Sequence, residues 1–291
     1  MMTAPTNRVA LVVPTLGRPD AALRLLRSLE RCPRSIADVL VVDQNDRPIA
    51  ANLLSKRWSF PVRTLHTPGE RGASRARNRG WCRTSARVVL FPDDDCWYPP
   101  GAIEAGLAAM DRMGTQVLAG RAEAPDGRPI NGRFEATPCF VGRQRVWTTQ
   151  IEWMVLFERS VLEAVGGYDE RVGVGAATPW QSCEAQDIVL RAMSRGYRVG
   201  YDPSFRGHHP ELDTLTPDVA MRRKGRAYAR GHGWVLRKHG FGPAEAAYWA
   251  GRPMVGAALD LARGRTSSAA YRAGVALGRL EGYVGQTIGA A

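Results

Sequence analysis

The sequence predicts an α/β fold: an open, mostly parallel sheet flanked by helices, followed by a C-terminal helical extension. Two apolar runs without alternation, 8–15 and 38–43, have the composition of parallel strands covered on both faces. A leucine-bearing helical stretch joins them, which makes one strand–helix–strand crossover. Past Thr216 the pattern is helical to the end, interrupted at Gly240-Phe241-Gly242-Pro243 and at Gly264.

Taken in order, the first strand ends at Pro14-Thr15 and runs into the turn residues Leu16-Gly17-Arg18-Pro19-Asp20. The helix over 21–31 carries Leu23, Leu25, Leu26 and Leu29 at helical spacing, with Asp20 placed as its cap. The second strand closes on Asp43, and a third is expected at 62–66. A helix opens within 71–80 and runs to about 84, with Arg71, Arg75, Arg79, Arg83 and Arg87 recurring every four residues. The last three read as a solvated face. Arg71 and Arg75 lie near the helix start, where free backbone N–H groups favour an anion.

The chain is organised around residues 88–98. Val88-Val89-Leu90-Phe91 reads as a buried strand, and Asp93-Asp94-Asp95 follows where that strand ends. Three adjacent carboxylates repel one another, so a compensating cation is expected there. Hard divalent ions such as Mn2+ or Mg2+ take carboxylate oxygens and share their shell with phosphates. In an extended segment Asp93 and Asp95 point to one side and can grip one ion; a solvated acidic turn is the plainer alternative. Pro14-Thr15, Asp43-Gln44 and Asp93 to Asp95 all fall at strand carboxyl ends, the rim where open α/β sheets bind ligands.

Further on, helices are expected at 102–113 and 159–165, the latter stopped by Gly166-Gly167, and a strand at 116–124. Residues 120–142 are rich in Gly, Pro and Arg and read as loops or hairpins. A helix over 184–195 begins with Glu184 and Asp187, three residues apart on one side. A strand follows from 199, and His208-His209-Pro210 comes after it.

At 291 residues, 44% hydrophobic and 23% charged, the composition is that of an ordinary globular protein. No run approaches the roughly 18 apolar residues of a membrane span. Residues 1–8 are too short and polar for a secretory signal, so the expected location is cytoplasmic. Five scattered cysteines with no Cys-x-x-Cys pair read as free thiols. Of the net charge of +12, +8 lies beyond residue 215, where 12 Lys or Arg face 4 acids. There Arg222-Arg223-Lys224, Arg226, Arg230, Arg237 and Lys238 interleave with Tyr228, Trp234, Val235 and Leu236. A basic amphipathic helix of this kind suits an anionic membrane surface, here the inner face of the plasma membrane; packing on the catalytic domain with a solvated Arg face is the alternative.

Val13-Pro14-Thr15, Val41-Val42-Asp43, Arg77-Asn78-Arg79-Gly80, Asp93-Asp94-Asp95, Gly166-Gly167-Tyr168-Asp169, the 184–191 helix start and His208-His209-Pro210 occur in this order. Together they resemble the family-2 glycosyltransferases, which have the GT-A fold, use nucleotide sugars and invert at the transferred sugar. The likeness covers about residues 8–212 and implies a catalytic domain over 1–215 (nucleotide half to about 100, acceptor half beyond); it says little about 216–291, which charge and helical pattern mark as a basic helical extension. It implies a nucleotide-sugar donor; with the membrane-surface reading of the tail, the expected acceptor is a carbohydrate or lipid-linked sugar, in cell-surface polysaccharide or glycolipid synthesis. Pro14, Thr15, Arg18 and Asp43 become candidates for the base and ribose, and Arg71 and Arg77 for contacts beside the nucleotide. Asp93 and Asp94 join the donor site. Asp95 and Asp93 are candidate metal ligands, completed by His208 or His209. Glu184 and Asp187 are the candidate bases, with Glu184 favoured. The family usually carries Glu-Asp here, and this chain has Ala185 in the second place.

A sugar nucleotidyltransferase shares this kind of sheet, but would carry a glycine-rich, Lys/Arg-bearing loop where this chain has Leu16-Gly17-Arg18. A dinucleotide oxidoreductase lacks its G-x-G-x-x-G here. The basic charge also raises a non-catalytic nucleic-acid- or membrane-binding protein; it matches no nucleic-acid reader motif, so nucleic acid is not the expected partner.

Overall fold

The computed structural model describes residues 9–49 and 51–288. The segment 1–8, on which the cytoplasmic expectation rests, lies outside them. The chain divides into two compact units, one of 9–168 with 188–211 and one of 169–187 with 212–288; the division falls inside a helix, after Asp187. The sequence reading drew a single boundary near 215, whereas the segment 169–187 clusters with the helices that follow Leu212.

The first unit is built on β1 (Val9–Thr15), β2 (Ile36–Asp43), β3 (Val62–His66), β4 (Val88–Leu90), β5 (Val117–Ala122), β6 (Cys139–Phe140), β7 (Val155–Glu158) and β8 (Val199–Gly207). They form one sheet of eight strands in the order β3-β2-β1-β4-β7-β5-β8-β6. The first four positions are parallel to one another. β7 is antiparallel to both of its neighbours, β4 and β5, and β6 closes the far edge antiparallel to β8. All seven residues of β1 are buried, as its unbroken apolar run requires.

Helices α1 (Pro19–Leu29), α2 (Ala51–Leu54), α3 (Ala73–Trp81), α4 (Ala102–Met113), α5 (Val146–Thr149), α6 (Arg159–Val165) and α7 (Glu184–Ser194) connect the strands. Leu25, Leu26 and Leu29 of α1 are buried in the main core with Leu11 and Val13 of β1. Asp20 is not a cap: α1 begins at Pro19, so Asp20 sits inside the first turn, where its charge faces the positive helix end. The chain leaves β1 to one side for β2 and β3, then returns on the other side as β4. That reversal puts a crevice beyond the carboxyl ends of β1 and β4.

The second unit is a bundle of α8 (Val219–Lys238), α9 (Pro243–Ala262) and α10 (Thr266–Val284) with the segment 169–187. Asp218 caps α8 by accepting from Met221 N at 2.7 Å. α8 and α10 cross almost backbone to backbone at Gly233 and Gly282. A Cβ on either would stand 2.0 Å from a carbonyl oxygen of the facing helix, so only glycine fits. Pro253 interrupts α9 and leaves the Trp249 carbonyl without its helical donor; Arg279 of α10 donates to it instead.

This packing decides which face of α8 is covered. Val235 and Leu236 of α8 are buried, Trp234 stacks on Trp180 at 4.6 Å, and Arg226 and Arg230 pair with Glu281. The apolar side of α8 therefore faces inward. Tyr248, Met254, Val255, Leu259 and Leu261 of α9 are exposed instead. Among the described residues no helix is long and apolar enough to cross a membrane. All five cysteines are free.

Candidate functional site

Register lines up the rim. Thr15 of β1 pairs with Asp43 of β2, which pairs with His66 of β3. β4 stops at Leu90, and the chain then turns, with Cys96 N donating to Asp93 O at 3.2 Å. Asp93 and Asp95 therefore come together through a turn, not through the extended geometry expected from their spacing. Each acid has a separate surrounding.

Asp94 points inward and is 1% exposed. It accepts from Thr15 Oγ1 at 2.8 Å and pairs with Arg18 at 2.7 Å, which joins the ends of β1 and β4. Burial pushes its pKa up to about 6, outweighing Arg18 and Thr15. Asp93 pairs with Arg77 at 2.9 Å. Arg77 is itself buried in α3, with its guanidinium 5.4 Å from the Tyr168 ring. Asp95 pairs with Arg18 and, at 3.0 Å, with His209 Nε2.

An antiparallel bridge delivers His209. Trp97 N donates to His208 O at 2.9 Å and His208 N to Trp97 O at 2.8 Å, which sets the residue after β8 beside the acid turn. His208 faces away, with its Nδ1 2.8 Å from the Glu123 carbonyl. His209 Nδ1 lies 2.8 Å from the Pro210 carbonyl, and its ring stacks on Trp153 at 5.5 Å. A carbonyl only accepts, so the proton sits on Nδ1 and Nε2 faces the Asp95 oxygen. Two lone pairs cannot meet at that distance without a cation between them, either a second proton or a metal. Burial alone would lower the His209 pKa, but the Asp95 hydrogen bond and charge raise it. Burial raises Asp95 in turn, and His209 and Arg18 more than reverse that.

One donor atom each from Asp93, Asp95 and His209 lie within 4.8 Å of one another. Ligands on opposite sides of one hard cation stand about 4–5 Å apart, so these residues fit a divalent ion. His208 is not in this trio.

The other candidates are placed as follows. Pro14 lies within β1, opposite Val42. Asp43 is buried and accepts from Asn45 N at 3.0 Å, Asn45 Nδ2 at 2.7 Å and Ile49 N at 2.8 Å. Asn45 Oδ1 accepts from Gly17 N at 2.8 Å, tying the loop after β2 to the loop after β1. Arg71 is exposed just before α3, and Arg75 half-buried within it. Arg79 and Arg87 are exposed and pair with Glu70 and with Asp111 and Glu158, as befits a solvated face. Glu184 and Asp187 are buried at the start of α7. Asp187 is paired with Lys238 at 2.6 Å and His239 at 2.9 Å, and Lys238 also reaches Asp169 at 2.7 Å.

Asn45, Trp97 and Trp153 have no role assigned from sequence, and Asn78 enters there only as part of the Arg77-Asn78-Arg79-Gly80 stretch. Asn78 Nδ2 donates to Tyr168 O at 2.9 Å and its Oδ1 accepts from Tyr168 N at 2.8 Å. Gly80, one turn of α3 from Arg77, lies so close to β1 that a Cβ would sit 2.2 Å from Val12 Cγ1. The Arg77-Asn78-Arg79-Gly80 stretch thus holds the acid turn, clamps the Gly167-Tyr168 corner and seats the helix on the sheet.

Among solved structures, S. aureus TarS 1-349 in complex with UDP-GlcNAc is similar, at a TM-score of 0.57 and 16% identity, covering 96% of this chain and 92% of that one. The mannosyltransferase PcManGT from Pyrobaculum calidifontis, in complex with GDP-Man and Mn2+, gives 0.59 and 17%, covering 94% and 87%. The architecture is that of the GT-A glycosyltransferases. Glycosyltransferase AglE of Haloferax volcanii is 22% identical over 218 residues, 72% of this chain and 69% of AglE. The family model for glycosyl transferase family 2 matches residues 10–165, and the chain belongs to that family.

Proposed function

We propose that this glycosyltransferase moves a sugar from a nucleoside-diphosphate sugar to an acceptor hydroxyl with inversion, in a divalent-metal-dependent reaction. The observation that carries the reading is the Asp93, Asp95 and His209 cluster at the reversal between β1 and β4. Those three residues would hold the ion. An imidazole beside two carboxylates favours Mn2+ over Mg2+. When bound, the ion supplies positive charge to the leaving diphosphate.

Arg71 binds and orients the phosphates, while Pro14, Thr15, Arg18 and Asp43 line the base and ribose. Arg77 fixes Asp93 from behind. Glu184 takes the proton from the acceptor hydroxyl, so that one displacement inverts the anomeric centre. The partners of Asp187 favour Glu184 for this role, because Lys238 and His239 both occupy Asp187 Oδ1, at 2.6 and 2.9 Å. Release of nucleoside diphosphate from UDP- or GDP-sugars with Mn2+ tests this. No release from any donor, with a range of acceptors, would remove the reading.

The reading includes a catalytic domain over 1–215, a basic extension, and work on cell-surface polysaccharide or glycolipid at the inner membrane face. The outer side of α9 supports the membrane contact. Its exposed apolar residues are flanked by Arg252, Arg263 and Arg265, while Asp260 is buried against Ser268 and Arg272. An apolar strip rimmed by arginines complements anionic lipid; a second copy would instead set like charges against each other.

A further inference from the structure

We infer that a cavity of 210 Å³ within the helical unit binds an oxyanion carried by the acceptor sugar, a phosphate ester or a carboxylate. The cavity is lined by α8, α10 and Ser182-Cys183, and no acid lines it. Lys224 and Arg279 do. The Lys224 ammonium lies 5.3 Å over the Tyr228 ring and pairs with no carboxylate among the described residues.

Arg279 is the stronger sign. Its Nε is out of water and has no hydrogen-bond partner, and its guanidinium lies 5.7 Å from the Trp249 ring. The Trp249 carbonyl explains where the side chain goes but does not neutralise it. Elsewhere in this unit the chain pairs its inner cations: Arg226 and Arg230 with Glu281, Arg272 with Asp260, Lys238 with Asp169 and Asp187. A cation drawn out of water without an anion is costly, and an incoming oxyanion would relieve it with a forked hydrogen-bond pair. Burial and the Arg279 charge push His232, also on the wall, well down, so it stays neutral. Tyr228 and Tyr271 add two flat apolar faces suited to a sugar ring.

The link to the acceptor is local. Ser182 and Cys183 immediately precede Glu184, the proposed base, and Cys183 holds φ at +70°. Such a conformation is strained for a residue with a Cβ and persists where the surroundings enforce it. The acceptor assignment rests on the transferase reading; the oxyanion site does not.

The test is thermal stability of the full chain with glucose 1-phosphate, glucuronate, inorganic phosphate or neutral glucose, for the wild type and for Lys224→Gln, Arg279→Gln and Asp95→Ala. At about tenfold excess over Kd the two anionic sugars should raise Tm by about 3 °C, and glucose should not. Lys224→Gln and Arg279→Gln should each lose the rise, and Asp95→Ala should keep it. Lys224 is exposed, so its replacement reports on binding even where Arg279→Gln weakens folding. Equal rises with glucose, no rise with either anionic sugar, or a rise that survives in Lys224→Gln, would overturn the inference. Inorganic phosphate matching glucose 1-phosphate would overturn the assignment to an acceptor sugar. Nucleoside diphosphates measured on the same samples keep the outcomes apart: a persisting nucleotide response with no anionic-sugar response defeats this inference alone.

Discussion

Arg77 reaches out of α3 to Asp93 at 2.9 Å, a buried guanidinium set behind one acid of the candidate metal cluster. From sequence Arg77 is a nucleotide-binding candidate. Its burial gives it a second task, holding Asp93 in place. Removing one member of a largely buried pair leaves the other uncompensated. Arg77→Met should cost about 2–4 kcal/mol in urea unfolding, whereas exposed Arg71→Met should cost less than about 0.5. Equal costs would contradict the distinction.

Glu184 and Asp187 should separate cleanly by measurement. Glu184→Gln should lower kcat by about 10²–10⁴ with little change in donor KM. Asp187→Asn strips a partner from Lys238 and His239, so its main effect should be a loss of about 2–3 kcal/mol in stability. The reverse pattern would transfer the base to Asp187.

Glu281 carries a pH prediction. Burial raises its pKa, but hydrogen bonds from Arg226 and Arg230 outweigh that and hold it at about 2, against 4.5 unfolded. The stabilisation is therefore complete above pH 4.5 and is lost as pH falls from 4.5 towards 2. It amounts to as much as about 3 kcal/mol. Glu281→Gln should flatten the acid side of the stability profile in this window. An unchanged slope would show that the three-residue network does not govern acid unfolding.

The outer strip of α9 predicts lipid binding. Wild-type protein should float with anionic vesicles at low salt, and much less with zwitterionic ones. Val255→Glu with Leu259→Glu should reduce flotation about tenfold or more while leaving Tm nearly unchanged. A drop in Tm together with a shift from dimer to monomer would assign the strip to a second copy instead.

Much of the fold is readable from residue pattern, for stated reasons. The runs ending at Thr15 and Asp43 are apolar without alternation over 9–13 and 39–42 because parallel strands here are covered on both faces, and α6 keeps its expected bounds because Gly166 ends it in the left-handed conformation. What pattern cannot reach is pairing between distant segments. β7 enters the sheet between β4 and β5, antiparallel to both, and β6 has only two residues. At the site, three acids in a row signal a cation, but the choice of His209 over His208 depends on the Trp97–His208 bridge. Asn78 reaches a backbone 90 residues away, and nothing local to it marks that partner. The tail misleads because helical spacing shows that α8 has an apolar face, not whether that face is already covered.

The central claim is a metal-dependent nucleotide site built from Asp93, Asp95 and His209. The direct measurement is Tm with UDP, GDP, dTDP or CDP, each with Mn2+, Mg2+ or EDTA, for the wild type, Asp95→Ala, His209→Ala and His208→Ala. A ligand that binds only the folded chain raises Tm by mass action. One nucleoside diphosphate with Mn2+ should raise Tm by about 3 °C or more, an effect absent in EDTA, lost in Asp95→Ala and His209→Ala, and retained in His208→Ala. No rise with any of the four nucleotides, or an equal rise in EDTA and in Asp95→Ala, would contradict the claim.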